Sequence, residues 1–76
     1  MRDGDVVLDV GCHPGGWAQV AVEEVGETGI VIGVDLQPCQ PVDGALLRVG
    51  DITDPLTQER IVKELEDRQV NSVISD

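Results

Sequence analysis

The chain has 76 residues, 41% of them hydrophobic, with fifteen acidic and five basic side chains and a formal net charge of −10. The length suits a single domain over residues 1–76, and the apolar content is that of a folded rather than a disordered protein. So acidic a surface excludes strong binding of nucleic acid by these residues alone, because neutralising phosphates takes lysine and arginine.

The first elements predicted along the chain are a strand and a helix joined by a glycine-rich turn. The β-branched run "VVLDV" (Val6–Val10) is typical of a buried strand, and the turn "GCHPGG" follows it. Gly26 lies where a left-handed residue ends a helix. Four residues at helical spacing supply the predicted apolar face, namely Trp17, Val20, Ala21 and Val25.

Two more strands are predicted in the middle of the chain. "IVIGVDL" (30–36) is a second buried strand that carries an acid near its end, and "ALLRV" (45–49) is a third. The segment between them, "QPCQPVDG", contains two prolines in four residues, which argues against a long helix there.

A second helix and a fourth strand complete the pattern. The helix is predicted over 53–69, with Asp54 as its N-cap and Pro55 in the first position. "VNSVISD" (70–76) predicts the last strand. The helix's apolar residues are Leu56, Ile61, Val62 and Leu65, and its favourable i,i+4 charge pairs are Glu59 with Lys63 and Glu64 with Arg68.

The order strand, helix, strand, loop, strand, helix, strand predicts an α/β fold with a parallel sheet and right-handed crossovers. Half of a doubly wound fold has this plan, with strand order 3-2-1-4. Because the chain stops on a strand, we expect a cut domain. The exposed edge of that strand predicts pairing with a second copy, as a homodimer.

Four aspartates lie at or near the carboxyl ends of the predicted strands: Asp9, Asp35, Asp51 and Asp76. Parallel strands bring these ends to one edge of the sheet, where ligands bind. Asp35 lies 24 residues after Gly11, close to the spacing of about 20 at which an acid holds a nucleotide ribose. Asp51 is placed to accept a hydrogen bond from an adenine amino group. The alternative is that aspartate simply favours strand ends and turns.

The glycine turn matches neither G-x-G-x-x-G nor a P-loop, and no cluster of basic residues accompanies it. A pyrophosphate suits such an acidic edge less well than a cationic or zwitterionic nucleoside. Asp9 is expected to brace the turn by accepting backbone N–H bonds.

The segments "VLDVGCHPGGWAQVA", "GVDL", "GDITD" and "VISD" resemble the FtsJ-type RNA ribose 2′-O-methyltransferases, in order and in spacing over nearly the whole chain. The resemblance implies a Rossmann-like methyltransferase half-domain that binds S-adenosylmethionine, with S-adenosylhomocysteine as product. It also implies RNA, ribosomal RNA above all, as the partner of the full-length enzyme.

The resemblance implies a role for each matching residue. The methionine part of the cofactor would lie over Gly11, Gly15 and the backbone around Gly16, and Trp17 would border the cofactor pocket. Asp35 would hold the ribose hydroxyls, and Asp51 the adenine edge. Asp76 would match the aspartate that opens the family's D-M-A-P motif, where it contacts the cofactor near the methyl group and belongs to a Lys-Asp-Lys-Glu catalytic set.

Both lysines and the glutamate of that set are missing here, because nothing before Val6 supplies the first lysine and the others would follow Asp76. We therefore expect these 76 residues to be inactive alone. Two other functions remain open: an excised or engineered fragment that acts only as a folding or assembly module, and a dinucleotide-binding half-domain of an oxidoreductase.

The cellular location is indicated by cysteines and apolar runs. Cys12 and Cys39 lack a metal-ligand spacing, which predicts reduced thiols and no metal site. No apolar run approaches the roughly 20 residues that span a bilayer, and the first five residues lack the apolar part of a signal peptide. We expect a soluble protein with no membrane partner, cytoplasmic or, from a eukaryotic parent, mitochondrial.

Overall fold

Four strands and two helices alternate along the chain in a computed structural model, which describes residues 1–11, 16–66 and 68–75. The elements are β1 (Val6–Val10), α1 (Gly16–Val25), β2 (Ile30–Asp35), β3 (Ala45–Val49), α2 (Pro55–Leu65) and β4 (Ser72–Ser75). The strands form one parallel sheet in the order β3-β2-β1-β4. The predicted α/β fold and its strand order 3-2-1-4 are therefore confirmed.

The central strands β1 and β2 are buried on both faces, as expected of a parallel sheet with a helix on each side. Successive residues point to opposite faces, so Val6 packs on the α2 side and Val7 on the α1 side. The buried residues of the α2 side are Val6, Ile32, Val34, Ile61 and Leu65. Those of the α1 side are Val7, Ala18, Ala21, Val25 and Val31.

Helix α1 is rotated from the predicted face. Ala18 and Ala21 are fully buried, whereas Trp17 is 59% and Val20 44% exposed. Alanine has no side chain beyond its methyl group, so this stripe lets the helix approach the sheet closely. Of the predicted apolar face, Ala21 and Val25 are buried, and the prediction is wrong for Val20; Trp17 is the residue that the family resemblance places beside the cofactor. Gly26, with φ +67°, ends the helix as predicted.

Helix α2 begins as predicted and ends early. The side chain of Asp54 accepts from the N–H of Leu56, and Pro55 occupies the first position. The helix stops at Leu65 rather than near residue 69, because Glu66 turns left-handed with φ +50°. Of the four predicted apolar residues only Ile61 and Leu65 are buried, since the helix faces the sheet along one narrow stripe; Leu56 and Val62 are exposed.

The early end of α2 redirects Arg68. Its Nη2 donates to the carbonyl oxygens of Gly4 and Thr28 at 3.1 and 3.3 Å. Glu64 instead accepts from Nε of Arg48 at 2.8 Å. The predicted pair of Glu64 with Arg68 is therefore wrong, because Arg68 no longer lies on the helix.

The predicted pair of Glu59 and Lys63 is present at 3.7 Å, with both side chains well exposed. Such a pair contributes little to stability.

Strand β4 starts at Ser72, two residues later than predicted. Asn71, just before it, is joined to Val6 by two hydrogen bonds. The Asn71 N–H donates to the Val6 carbonyl at 2.8 Å, and the Val6 N–H donates to Oδ1 of Asn71 at 2.8 Å. β3 and β4 form the two edges of the sheet, and pairing of β4 with a second copy stays a prediction.

Two further sequence expectations concern cysteine chemistry and the membrane. Cys39 is disulfide-bonded, so the prediction of a reduced thiol is wrong at this position, because spacing along a chain does not report distance in the fold. Within the described ranges, neither helix has the length and apolar character to cross a membrane.

Candidate functional site

The carboxyl ends of β1, β2 and β3 are joined by hydrogen bonds that continue the sheet beyond its strands. The Gly11 N–H donates to the Val34 carbonyl at 2.8 Å, and the Gly50 N–H donates to the Asp35 carbonyl at 2.8 Å. Gly11 has φ +77°, a left-handed conformation that glycine adopts without strain. These bonds fix Gly11 and Gly50, the residues directly after β1 and β3, against the end of β2 in one frame.

A cavity of about 210 Å³ opens in this frame. It is lined by Val10, Gly11, Val34, Asp35, Leu36, Gly50, Asp51 and Ile52. The structure therefore brings together Asp35 and Asp51, the two residues that the sequence assigned to a ribose and a nucleobase. In the part of the chain that the structure describes, the rest of the lining is apolar or glycine, with neither lysine nor arginine.

Asp35 ends β2 and is half-buried at the cavity wall. Its Oδ1 accepts from the N–H of Gln37 at 3.0 Å. This bond folds the chain back over the carboxylate directly after the strand, an arrangement typical of aspartate before a turn. The carboxylate is thereby held at the strand end rather than released into solvent.

Asp51 is fixed by Thr53. Its Oδ1 accepts from the backbone N–H of Thr53 at 2.9 Å and from the Thr53 hydroxyl at 2.6 Å. The hydroxyl bond, followed by the backbone bond, lowers the pKa of Asp51 below its usual range, and slight desolvation opposes them. Asp51 is therefore a charged acceptor at neutral pH.

A second cavity, of about 180 Å³, is lined by Asp9, Trp17, Ile74 and Ser75. Asp9 is 1% exposed and lies between Gly33 and Ile74 in the sheet register. Trp17, 59% exposed, borders the opening from the start of α1. A buried carboxyl group beside an aromatic ring suits a positively charged ligand group.

The sequence assigned Asp9 only to bracing the glycine turn, a role that stays a prediction. Ile74 and Ser75 lie in the segment "VISD" that carries the family resemblance, but the sequence analysis assigned neither residue a role. Their position at the end of β4, beside β1 in the sheet, was the signal that could have found them.

The predicted site residues Gly15 and Asp76 lie outside the described residues, as do Cys12 and His13. The roles assigned to Gly15 and Asp76 stay predictions.

A larger cavity, of about 660 Å³, lies between α1 and the segment that links β2 to β3. It is lined by Gly16, Gln19, Val22, Glu23, Gln40, Pro41, Val42 and Asp43. Of the residues predicted to contact a cofactor, Gly16 lines it, whereas Trp17, Asp35 and Asp51 line the two smaller cavities. We therefore place the candidate site in the two smaller cavities.

The family model and the related sequences that match this chain agree on one family. The FtsJ-like methyltransferase family model matches residues 1–76. The ribosomal RNA large subunit methyltransferase E of Methanothermobacter thermautotrophicus is 46% identical over 78 residues, which cover all of this chain and 36% of that protein. The protein of the same name from Dechloromonas aromatica is 38% identical over 76 residues, covering all of this chain and 37% of that protein.

A solved structure supports the fold. A protein from Plasmodium falciparum, described as a ribosomal RNA methyltransferase, superimposes with a TM-score of 0.83 at 24% identity, covering 99% of this chain and 45% of that one. At this identity the likeness shows the fold alone. The chain spans little more than a third of the length of the two curated relatives above.

Proposed function

The chain belongs to the FtsJ-like methyltransferase family, and on that premise we propose that it forms the S-adenosylmethionine-binding part of an RNA 2′-O-ribose methyltransferase. One observation carries the proposal. Asp35 and Asp51 line the same largely apolar cavity at the carboxyl edge of the sheet, and no basic side chain among the described residues lines it with them.

The adenosine part of the cofactor fits the larger of the two strand-end cavities. The Asp35 carboxylate can accept from both ribose hydroxyls, and the Asp51 carboxylate from the adenine amino group. Leu36 and Ile52 supply apolar wall for the base. Aspartates in these positions select a nucleoside with donors on its ribose and on its base edge.

The methionine part fits the cavity of Asp9 and Trp17. When bound, S-adenosylmethionine supplies an electrophilic methyl group on a positively charged sulfur and leaves as S-adenosylhomocysteine. The Asp9 carboxyl and the Trp17 ring favour positive charge nearby. Gly15 and Asp76 keep their predicted roles, Gly15 under the methionine part and Asp76 as the catalytic carboxylate beside the methyl group.

Charge separates this proposal from a dinucleotide site. A pyrophosphate adds negative charge between the two nucleosides and is held by donors and cations. Here the walls carry carboxylates, while Arg48 is paired with Glu64 and Arg68 is bound to carbonyl groups. The arrangement favours a cofactor whose charged part is cationic or zwitterionic.

Ribosomal RNA is the substrate we propose, because the curated relatives are named for ribosomal RNA of the large subunit. The net charge of −10 makes this chain a poor RNA-binding surface. We expect RNA binding in the whole protein to depend on residues outside these 76.

Isothermal titration calorimetry with S-adenosylhomocysteine, S-adenosylmethionine and NAD tests the proposal directly. We expect saturable binding of both adenosyl ligands and none of NAD. Circular dichroism on the same sample must show a folded chain. A folded chain that gives no heat with either adenosyl ligand at millimolar concentration, or that binds NAD tightly, contradicts the proposal.

A further inference from the structure

We propose that Thr53 is a positioning residue of the nucleoside site, which holds one carboxylate oxygen of Asp51 and so leaves the other oxygen to the nucleobase. This inference rests on the proposed function, since it concerns the same cavity. It assigns to Thr53 a part in selecting adenine.

The hydrogen bonds to the Asp51 carboxylate fall on one of its two oxygens. Both donors of Thr53, its backbone N–H at 2.9 Å and its hydroxyl at 2.6 Å, bond to Oδ1. Within the described part of the chain, no hydrogen bond falls on Oδ2. Two donors on one oxygen fix the rotation of the carboxylate and leave Oδ2 with its full capacity to accept.

The loop that carries Asp51 and Thr53 is held by two further hydrogen bonds. The Asp54 N–H donates to the Asp51 carbonyl at 2.9 Å, and Nε2 of Gln58 on α2 donates to the Ile52 carbonyl at 2.8 Å. The backbone does not need the Thr53 hydroxyl for its shape. Thr53 is exposed, so the hydroxyl is not needed for core packing either.

Besides orienting the carboxylate, the Thr53 hydroxyl lowers the pKa of Asp51, which has other acidic residues nearby. Asp35 lines the same cavity, and Asp54 follows at the start of α2, where its carboxylate accepts from the Leu56 N–H. Asp35, Asp51 and Asp54 are all acidic. The Thr53 hydroxyl is the largest of the influences that lower the pKa of Asp51, so removing it lets that pKa rise.

Adenine and hypoxanthine offer a sharp test of the geometry. Adenine presents an amino donor where hypoxanthine presents a carbonyl oxygen, which a carboxylate repels. A well-oriented Asp51 therefore prefers adenosine to inosine. A freely rotating carboxylate discriminates less, because it can turn away from the carbonyl.

The variants are Thr53→Val, which is close in shape but lacks the hydroxyl, and the conservative Thr53→Ser. For Thr53→Val we expect S-adenosylhomocysteine to bind about three- to tenfold more weakly at pH 7, as for loss of one hydrogen bond. The preference for adenosine over inosine should fall with it. Thr53→Ser should stay close to the parent chain in both measurements.

The pH profile supplies the readout that a merely structural role would not move. A lowered pKa keeps Asp51 charged as the pH falls, so affinity is lost only when the pH drops through that lowered value. In Thr53→Val the loss should begin at higher pH. A carbon-13 titration of the Asp51 carboxyl, without ligand, should show the same upward shift.

The outcomes separate this inference from the proposed function. If the parent chain binds S-adenosylhomocysteine but Thr53→Val keeps its affinity, base preference and pH profile, Thr53 does not position Asp51. An unchanged carbon-13 titration in Thr53→Val also overturns the inference, whether or not ligand binds. A folded parent chain that binds neither adenosyl ligand contradicts the proposed function instead.

Discussion

The N–H of Gly50 donates to the carbonyl oxygen of Asp35 at 2.8 Å. This bond lies one step beyond the last residue of β3 and ties the loop after β3 to the end of β2. The residue after Gly50 is Asp51, so the bond sets the separation between the two carboxylates of the cavity. Two acids 16 positions apart in the chain thereby belong to one rigid unit.

Neutralising Asp35 should weaken cofactor binding without unfolding the chain. Asp35→Asn keeps the shape of the side chain but removes its charge and one acceptor. Hydrogen bonds to charged groups contribute about 1.5–3 kcal/mol, so S-adenosylhomocysteine should bind roughly ten- to a hundredfold more weakly by calorimetry.

Asp43→Asn is the matched control for Asp35→Asn, because Asp43 is an exposed aspartate on the larger cavity between α1 and the β2–β3 segment. It should bind like the parent chain. If Asp43→Asn loses as much affinity as Asp35→Asn, the ligand occupies the larger cavity and our placement of the site is wrong.

Gly29 precedes β2 at a point where no side chain fits. A Cβ there would overlap with Cβ of Val25 and lie 2.8 Å from the backbone oxygen of Asp5. That oxygen accepts from the Ile30 N–H, so it cannot move without loss of a hydrogen bond. We expect Gly29→Ala to lower the free energy of unfolding by about 1–3 kcal/mol, measured by urea denaturation.

Gly16→Ala serves as its comparison, since a Cβ at Gly16 would meet nothing within 4 Å. Its free energy of unfolding should stay within about 0.5 kcal/mol of the parent value. Equal effects of the two alanine substitutions would show that the close contact at Gly29 does not limit stability.

The parallel sheet, and the position of Asp35 and Asp51 at one cavity, could be predicted from sequence because both follow from the order of the strands and helices along the chain. Short β-branched runs alternate with helical segments, and strands of one direction put their ends on one edge. The family resemblance, carried by the glycine turn and the acids, is confirmed by the match over residues 1–76.

The side-chain orientations could not be predicted in the same way. In α1, helical spacing fits Trp17 and Val20 as well as Ala18, and only packing against the sheet selects the alanine stripe. The end of α2 depends on the left-handed Glu66 and on carbonyl partners of Arg68 that are about 40 or more residues distant. Such long-range partners leave no local pattern in the sequence.

Asn71 joins the first residue of β1 to the chain entering β4, so its loss should destabilise the fold. Asn71→Ala removes the acceptor of the Val6 N–H, and Val6 is only 2% exposed. Leaving a buried donor without a partner costs about 1–3 kcal/mol. Urea denaturation should show a loss of this size, while Gln69→Ala, at a neighbouring exposed residue, should change little.

Salt should stabilise this chain. Fifteen acidic side chains against five basic ones repel one another in the folded state, and ions screen that repulsion over a Debye length of about 10 Å at 0.1 M and about 3 Å at 1 M. We expect the thermal midpoint to rise steadily as sodium chloride increases from 0.01 to about 0.5 M at pH 7, measured by circular dichroism.

Neutralising part of the acidic surface should flatten that dependence. Glu23, Glu24 and Glu27 are exposed residues in and just after α1, and changing all three to Gln removes three negative charges. The triple Gln variant should have a higher midpoint at low salt and a smaller salt slope. A triple Asp variant, which keeps the charge, should retain the parent slope. Equal slopes in all three proteins would mean that salt acts on apolar burial rather than on charge repulsion.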